Sequence, residues 1–172
     1  MISYPKIGLF LKIAPIFFAL ICKTIWAADI PQGNVTDSRV INSPSEEPGS
    51  WLTYGQNFKE QRFSELTQIN TDTIARLGLA WTTQIGDYNM RMQGTPLVVD
   101  GVMYVSNGWS VIYALDATTG EEIWKYDPEV DRSYIRLACC GPAHNRGVAV
   151  YEGKVFVGTF DGRLIAVNAE NR

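Results

Sequence analysis

The chain repeats itself at a spacing of 52 residues. Residues 101–116 align without a gap on residues 153–168, and every position keeps this offset. Each copy holds two short runs rich in β-branched and aromatic residues, and these are Val102–Val105 and Val111–Leu115, then Val155–Val157 and Leu164–Val167. A β-sandwich would also show short strands, but a gap-free repeat with a period near 50 residues is typical of β-propeller blades. The repeat therefore predicts an all-β fold of the propeller type.

Two-residue turns join the predicted strands. An apolar run and an acidic residue with glycine introduce each copy, so that Pro96–Val99 leads into Asp100-Gly101 and Val148–Tyr151 leads into Glu152-Gly153. Glycine accepts a positive φ angle without steric cost, and an acidic residue followed by glycine between two β-rich runs is a strong hairpin signal. The sequence therefore predicts an antiparallel hairpin at each of these turns.

The segment before the first copy carries weaker signals. Asn70 or Thr71 can cap a short helix that ends near Gly78. The apolar run Leu79–Trp81 follows, and we expect it to enter the first blade as a strand.

The first 28 residues are typical of a secretory signal peptide. Lys6 precedes an apolar run, residues 7–21, and small residues follow up to Ala28. The alternative is a membrane anchor, but the run is shorter than the roughly 20 apolar residues that a spanning helix needs, and Lys12 interrupts it. A lipoprotein signal at Cys22 is disfavoured because a bulky residue precedes that cysteine. We expect cleavage after Ala28, export to the periplasm and no stable membrane span.

The charge of the chain excludes one class of partner. Lys and Arg number 15 against 18 Asp and Glu, and loss of residues 1–28 removes three lysines and no acid. The net charge then changes from −3 to about −6. Proteins that bind phosphate backbones carry clusters of Lys and Arg, which this sequence lacks. We therefore expect no nucleic-acid partner.

Export also changes the meaning of the cysteines. Cys22 would leave with the signal, so the mature chain keeps only the adjacent Cys139 and Cys140. In an oxidising compartment these two can bond to each other, bond to another chain or remain free. His144 is the one histidine, and an imidazole without cysteine or carboxylate companions does not make a metal site. The motif Cys-x-x-Cys-His does not occur, so we expect no haem c site in this chain.

A turn motif completes the first copy of the repeat. Its sequence is Ala114-Leu-Asp116-Ala-Thr-Thr119-Gly120-Glu-Glu-Ile-Trp124. The side chains of Asp116 and Thr119 can hydrogen-bond the turn backbone, and Gly120 permits a left-handed step. Trp124 offers a large apolar surface to a neighbouring blade. The segment matches A-x-D-x-x-T-G-x-x-x-W, the tryptophan-docking motif of the dehydrogenases that depend on pyrroloquinoline quinone (PQQ), at every specified position.

The chain therefore resembles the N-terminal part of a PQQ-dependent (quinoprotein) alcohol dehydrogenase over residues 51–172. The resemblance implies an eight-bladed propeller in the complete protein. Propellers close with about four to eight blades, whereas residues 29–172 hold fewer than three units of 52 residues. We expect residues 29–172 to supply only the first blades.

The resemblance implies cofactor contacts for Gln93, Cys139, Cys140 and Arg146. In this family the adjacent cysteines form a disulfide ring that packs on one face of the planar quinone. The arginine of the sequence Asn-Arg-Gly pairs with one of the three carboxylates of PQQ, which suits its planar and always charged guanidinium. Arg146 stands six residues beyond the second cysteine, one more than in the family. Gln93 stands where the family usually has Glu, and its amide can donate to a carboxylate without an added proton.

The resemblance also implies the reaction. It is the oxidation of an alcohol to an aldehyde or ketone, with electrons passed to a cytochrome c. A Ca²⁺ or other metal ion, its ligands and the catalytic aspartate are expected outside this chain, which alone is expected to be inactive. The alternative is a non-enzymatic propeller of the same repeats that binds proteins as a scaffold. The pair Cys139-Cys140 and Arg146 favour the enzyme, because a scaffold has no use for a cofactor platform.

Overall fold

The two copies of the repeat form two antiparallel sheets. The computed structural model describes residues 31–86, 90–136 and 141–170. Within these residues, the strands in chain order are β1 (Arg91–Met92), β2 (Leu97–Val99), β3 (Val102–Ser106), β4 (Ile112–Asp116), β5 (Glu122–Tyr126), β6 (His144–Asn145), β7 (Ala149–Tyr151), β8 (Lys154–Gly158) and β9 (Leu164–Asn168). The helix α1 spans Asp37–Glu46, and short 3₁₀ helices span Ile74–Arg76 and Arg132–Arg136. The first sheet has the order β2-β3-β4-β5, the second has the order β7-β8-β9, and β1 pairs with β6 in parallel.

The predicted hairpins are confirmed. Strand β2 pairs with β3, and β7 with β8, in antiparallel registers that close at the two acid-glycine turns. The φ angles are positive at both turn residues, 52° and 77° at Asp100-Gly101 and 45° and 73° at Glu152-Gly153. This is the type I′ geometry that matches the twist of the flanking strands. The same turn therefore recurs at the same place in both copies.

The first sheet is buried on both faces. Successive side chains of a strand point to opposite faces, so Tyr104 and Val105 enter different clusters. One cluster lies between the two sheets and the N-terminal segment, and it contains Val35, Leu52, Tyr104, Ile112, Ala114, Val150, Val155 and Val157. The other covers the opposite face of the first sheet and contains Val105, Val111, Tyr113 and Leu115, with Ile85 and Trp109 packed against it. The main core therefore lies between the two copies.

Trp124 docks the first copy on the second, as the motif predicts. Its side chain is 8% exposed and its indole N–H donates to the Ala169 carbonyl at 2.9 Å. The ring centroids of Tyr104 and Trp124 lie 6.0 Å apart, and the Tyr104 hydroxyl donates to the same Ala169 carbonyl at 3.4 Å. Burial raises the pKa of Tyr104 to about 12, so this hydroxyl keeps its proton at neutral pH. The two aromatic donors thus bind the backbone of the second copy directly after β9.

The turn inside the motif also has the predicted construction. The Asp116 carboxylate accepts from the Thr118 and Thr119 N–H groups at 2.7 and 3.0 Å, and Gly120 has a φ of +76°. A Cβ at Gly120 would lie 2.4 Å from the ring of Trp81, so only glycine fits there. The Trp81 indole donates to the Ala117 carbonyl at 3.3 Å, and Ala117 lies 52 residues before Ala169. Trp81 therefore repeats on the first copy what Trp124 does on the second.

An N-terminal strap, residues 31–52, crosses both hairpin turns. The Arg39 guanidinium of α1 bonds the Asp100 carboxylate at 2.6 Å. On the other hairpin, the Glu152 N–H donates to the Val35 carbonyl at 2.9 Å. The strap therefore ties the outer ends of the two sheets together.

The prediction of a helix over 70–78 and a strand at Leu79–Trp81 is wrong. Asn70 does cap a turn, since its side-chain oxygen accepts from the Asp72 N–H at 2.9 Å, but the helix that follows is one 3₁₀ turn, Ile74–Arg76. Residues 58–80 are almost all exposed, and a short helix without a packed face is not stable. Leu79–Trp81 is irregular, because no strand within the described ranges pairs with it.

The predicted signal peptide, residues 1–28, lies outside the described residues. Among the residues that the structure describes, no helix is both long enough and apolar enough to cross a membrane.

Candidate functional site

The parallel pair β1–β6 brings Gln93 and Arg146 together. Its register places Arg91 opposite His144 and Met92 opposite Asn145, so Gln93 and Arg146 come next on the two segments. The Gln93 N–H donates to the Asn145 carbonyl at 3.2 Å, which extends the pairing to this position. Both side chains are exposed. Two residues that lie 53 positions apart in the sequence are therefore neighbours.

Two glycines allow this close approach. A Cβ at Gly94 would lie 2.7 Å from the Cα atom of Gly147 and 3.1 Å from the carbonyl carbon of Arg146. Gly147 has a φ of +112°, a backbone conformation that other residues rarely adopt. The two backbones therefore touch directly beside Gln93 and Arg146, and no larger residue fits at Gly94.

The charges and donors at this point suit a planar anion. A guanidinium offers five N–H donors in a fixed fork, and a glutamine amide adds two more. These are donors of the kind that bind carboxylate groups, and the predicted contact of Gln93 and Arg146 with PQQ stays a prediction. Cys139 and Cys140 lie outside the described residues, and their predicted pairing stays a prediction. Among the described residues, no cluster of three or more His, Cys, Asp or Glu is arranged to hold a metal ion.

Ala143 anchors the segment before Arg146 on the first copy. Ala143 is 1% exposed, and its carbonyl accepts from the Arg91 N–H at 3.0 Å. A Cβ at Gly108 would lie 2.3 Å from this same oxygen, so the loop is packed against the first copy. His144 belongs to β6 and is half-buried, and its ring meets Phe160 edge-on with the ring centroids 5.9 Å apart.

The sequence prediction missed the side chains beneath Arg146. Asn145 is 9% exposed and lies on the opposite side of its strand from Arg146. Its amide bonds Ser106 and Ser110 of the first copy and the Gly158 carbonyl of the second, at 2.7, 2.9 and 2.9 Å. The alignment of the two copies held one signal of this network, because Ser110 stands where the second copy has a glycine.

Comparison with known proteins supports the resemblance. Residues 51–171 match the family described as "PQQ: Glucose/ethanol/alcohol dehydrogenase, beta-propeller domain". The quinohemoprotein alcohol dehydrogenase ADH-IIG of Pseudomonas putida is 50% identical over 144 residues, which cover 84% of this chain and 20% of that protein. The 1-butanol dehydrogenase (cytochrome c) of Thauera butanivorans is 50% identical over 121 residues, which cover 70% of this chain and 17% of that protein. The chain thus spans about a fifth of the length of these relatives.

Solved structures give the same result. The Pseudomonas putida ADHIIG structure superposes with a TM-score of 0.77 at 50% identity, over 83% of this chain and 20% of the solved one. A europium-containing methanol dehydrogenase superposes with a TM-score of 0.68 at 38% identity, over 78% of this chain and 23% of the solved one. The predicted all-β fold of propeller type is confirmed, and the described sheets are blades of such a propeller.

Proposed function

The chain belongs to the β-propeller family of PQQ-dependent glucose, ethanol and alcohol dehydrogenases, and we therefore propose that it is the N-terminal part of a periplasmic alcohol dehydrogenase. The whole protein oxidises alcohols to aldehydes or ketones and passes the electrons to a cytochrome c. The names of the relatives support this, since they are alcohol dehydrogenases and one of them names cytochrome c. The observation that carries the proposal is the placement of Gln93 beside Arg146 on one exposed edge.

In this proposal the chain binds and orients the cofactor. Arg146 grips a PQQ carboxylate with its guanidinium, and the Gln93 amide donates a further hydrogen bond to the same edge. When bound, PQQ supplies the redox chemistry, because its quinone takes up the two electrons and two protons that the alcohol loses. The predicted vicinal disulfide of Cys139 and Cys140 would lie against the quinone ring. The catalytic aspartate and the ligands of Ca²⁺, or of another metal ion, come from outside this chain.

PQQ binding by the full-length protein tests this proposal. Replacing Arg146 with Ala leaves a cofactor carboxylate without its partner, which costs about 2–5 kcal/mol and weakens PQQ binding roughly 30- to 4000-fold. Arg146→Lys is expected to recover part of the loss, because an ammonium keeps the charge but not the fork. The measurements are PQQ titration followed by tryptophan fluorescence and dye-linked alcohol oxidation in the presence of Ca²⁺.

A matched control is Arg163→Ala. Arg163 is an exposed arginine of the second copy that bonds Asp161 and the Pro128 carbonyl, and its loss is expected to leave PQQ affinity unchanged. A wild-type protein that binds no PQQ would favour the scaffold function instead. Unchanged affinity in Arg146→Ala would show that the longer loop before Arg146 has taken this arginine out of the site.

Three parts of the proposal have their own measurements. For export, the mature protein from a periplasmic extract is expected to start at Asp29, and an intact mass that retains Lys23 would favour the membrane anchor.

For the cysteines, a peptide map without reductant is expected to show Cys139 bonded to Cys140, and free thiols would contradict this pairing. For the isolated region 29–172, an incomplete propeller leaves sheet faces uncovered, so alcohol oxidation by this piece would contradict the proposed inactivity.

A further inference from the structure

Asn145 uses its whole amide in a buried network. Its Nδ2 atom donates to the Ser110 hydroxyl and to the Gly158 carbonyl, both at 2.9 Å. Its Oδ1 atom accepts from the Ser106 hydroxyl at 2.7 Å and from the Gly147 N–H at 2.9 Å. A carbonyl can only accept and an N–H can only donate, so Gly158 and Gly147 fix which way the amide faces. All four hydrogen-bonding positions of the side chain are therefore filled.

The partners of Asn145 come from both copies of the repeat. Ser106 ends β3 and Gly158 ends β8, and these two residues are equivalent, 52 positions apart. Asn145 thus lies between the same point of two neighbouring sheets. Because both sheets are packed on the main core, a residue bonded to both has a fixed position.

The same network holds the backbone on both sides of Arg146. On one side, the Asn145 carbonyl accepts from the Gln93 N–H at 3.2 Å. On the other side, the Gly147 N–H is held by the Asn145 side chain at 2.9 Å. Arg146 itself is exposed and faces away from the network. The side chain of Asn145 therefore fixes the backbone position from which the Arg146 side chain extends.

The backbone conformation of Ser110 gives an independent reason to assign its hydroxyl a role in this network. Its φ is +65°, in the left-handed region that favours glycine. The equivalent residue of the second copy, Gly162, has a φ of +84°. A serine at such a position strains the backbone. Its hydroxyl accepts from Asn145 and donates to the Gly158 carbonyl at 3.2 Å, two bonds that glycine cannot make.

We infer that Asn145, held by Ser106 and Ser110, is a positioning residue that sets Arg146 for the cofactor carboxylate. This inference rests on the proposed function. It assigns Asn145 no contact with the cofactor and no part in the chemistry. Its effect on PQQ binding passes through Arg146 alone.

A double-mutant cycle in the full-length protein tests the inference. Asn145→Ala is expected to weaken PQQ binding roughly 10- to 100-fold, the range found when outer partners of a ligand-holding side chain are removed from metal sites. In an Arg146→Ala background the same change is expected to have almost no further effect, because the group that it positions is gone. The readout is the dissociation constant of PQQ, measured by fluorescence titration beside the unfolding midpoint.

Asn57→Ala is the matched control. Asn57 is also buried, at 8% exposed, and its amide bonds Gln56 and the Lys59 N–H in a separate part of the chain. It is expected to lower the unfolding midpoint without changing PQQ affinity. If Asn145→Ala weakens binding no more than Asn57→Ala, or weakens it equally with and without Arg146, the inference is wrong and the proposed function stands.

A second variant keeps the test decisive if Asn145→Ala does not fold. Ser110→Gly removes one partner of the Asn145 amide and relaxes the left-handed backbone, so the fold is retained. It is expected to weaken PQQ binding severalfold in the wild-type background and not in Arg146→Ala. Wild-type affinity in Ser110→Gly would overturn the inference. A wild-type protein that does not bind PQQ would instead overturn the proposed function.

Discussion

The turn after β3 and the turn after β8 have the same backbone conformation but lie in different surroundings. In the first, the N–H groups of Asn107 and Ser110 donate to the Val111 and Asn107 carbonyls, both at 3.0 Å. In the second, Thr159 and Gly162 make the equivalent bonds at 2.8 and 3.0 Å. The side chains of Asn107 and Thr159 even accept from the same later N–H group, at 3.1 Å in both cases. The local geometry is thus set by positions that repeat every 52 residues.

The surroundings of the two turns differ because only the first is enclosed. Asn107 is 2% exposed and Ser110 is fully buried between the second sheet and the loop that carries Arg146. At the equivalent positions, Thr159 is half-buried and Gly162 is exposed. The same contrast holds for the strands, since β4 is almost entirely buried and β9 alternates between exposed and half-buried residues. The repeat therefore specifies the backbone conformation of each turn, while the neighbours of each copy decide which side chains the turn carries.

The contact between the copies is the place where a change has the largest expected effect. Trp124→Ala removes a buried indole and its bond to Ala169, and we expect a loss of about 3–5 kcal/mol in the free energy of unfolding. Trp124→Phe keeps most of the apolar contact and is expected to cost less. The measurement is unfolding in guanidinium chloride followed by circular dichroism.

Trp81→Ala is the comparison for this prediction. Trp81 makes the equivalent bond to Ala117 but is only half-buried, so we expect a smaller loss than for Trp124. An equal loss in Trp81→Ala and Trp124→Ala would show that the contact of Trp124 with the second copy stabilises the fold no more than the contact of Trp81 with the first copy.

Exchanges at the left-handed turn position have an intermediate expected effect. Ser110→Ala keeps the strained φ and loses the hydroxyl, which leaves one N–H of the buried Asn145 amide without a partner and is expected to cost about 1–3 kcal/mol. Ser110→Gly loses the same bonds but relieves a strain of roughly 1 kcal/mol, so it is expected to cost less. In the second copy, Gly162→Ser introduces the strain without a partner for the hydroxyl and is expected to cost about 1 kcal/mol.

Ser110→Gly separates the role of the Ser110 hydroxyl from the cost of the left-handed backbone. A Cβ at Gly162 meets no atom within 4 Å, so the cost of Gly162→Ser is conformational alone. If the hydrogen bonds of the Ser110 hydroxyl contributed nothing to stability, Ser110→Gly would raise the free energy of unfolding by the amount that Gly162→Ser lowers it. A rise of this kind, measured by the unfolding midpoint, would remove the reason given for serine in the first copy.

Much of the fold could be predicted because its signals are local. The acid-glycine turns need only two residues with positive φ, and the sequence shows them at Asp100-Gly101 and Glu152-Gly153. The docking motif is equally local, since Asp116 bonds the N–H groups two and three residues later. The family resemblance added Gln93 and Arg146, which the structure brings together, although no pattern in the sequence states that they meet.

The remaining features depend on partners that are distant in the sequence. Helix α1 carries Pro44 and few apolar residues, and Arg39 fixes it through Asp100, 61 positions away. The two-residue strands β1 and β6 exist because Gly94 and Gly147 allow their backbones to touch. The predicted helix near Asn70 failed for the opposite reason, because its apolar residues find nothing to pack against within the described residues. Tertiary contacts, which no local pattern encodes, decided each of these cases.

The smallest expected effect lies in the charges of the second turn, where the first turn has apolar residues. Arg163 bonds the Asp161 carboxylate at 2.6 Å, and this bond, together with one from Thr159, lowers the pKa of Asp161 to about 2. The equivalent residues of the first turn are Trp109 and Val111, which carry no charge. An aspartate in an unfolded chain has a pKa of about 3.9, so the ion pair stabilises the folded state fully above that pH, and its contribution is lost as the pH falls towards 2.

Arg163→Ala tests this last difference between the two turns. It removes the main cause of the shift, so the pKa of Asp161 is expected to rise towards its ordinary value, and ¹³C NMR titration of labelled aspartate carboxyl groups measures it. Asp116 provides the internal control, because the bonds that lower its pKa come from Thr118 and Thr119 and not from an arginine. Its titration is expected to be the same in both proteins. An unchanged Asp161 in Arg163→Ala would show that Thr159 alone holds the carboxylate, and the second turn would then be polar but not dependent on an ion pair.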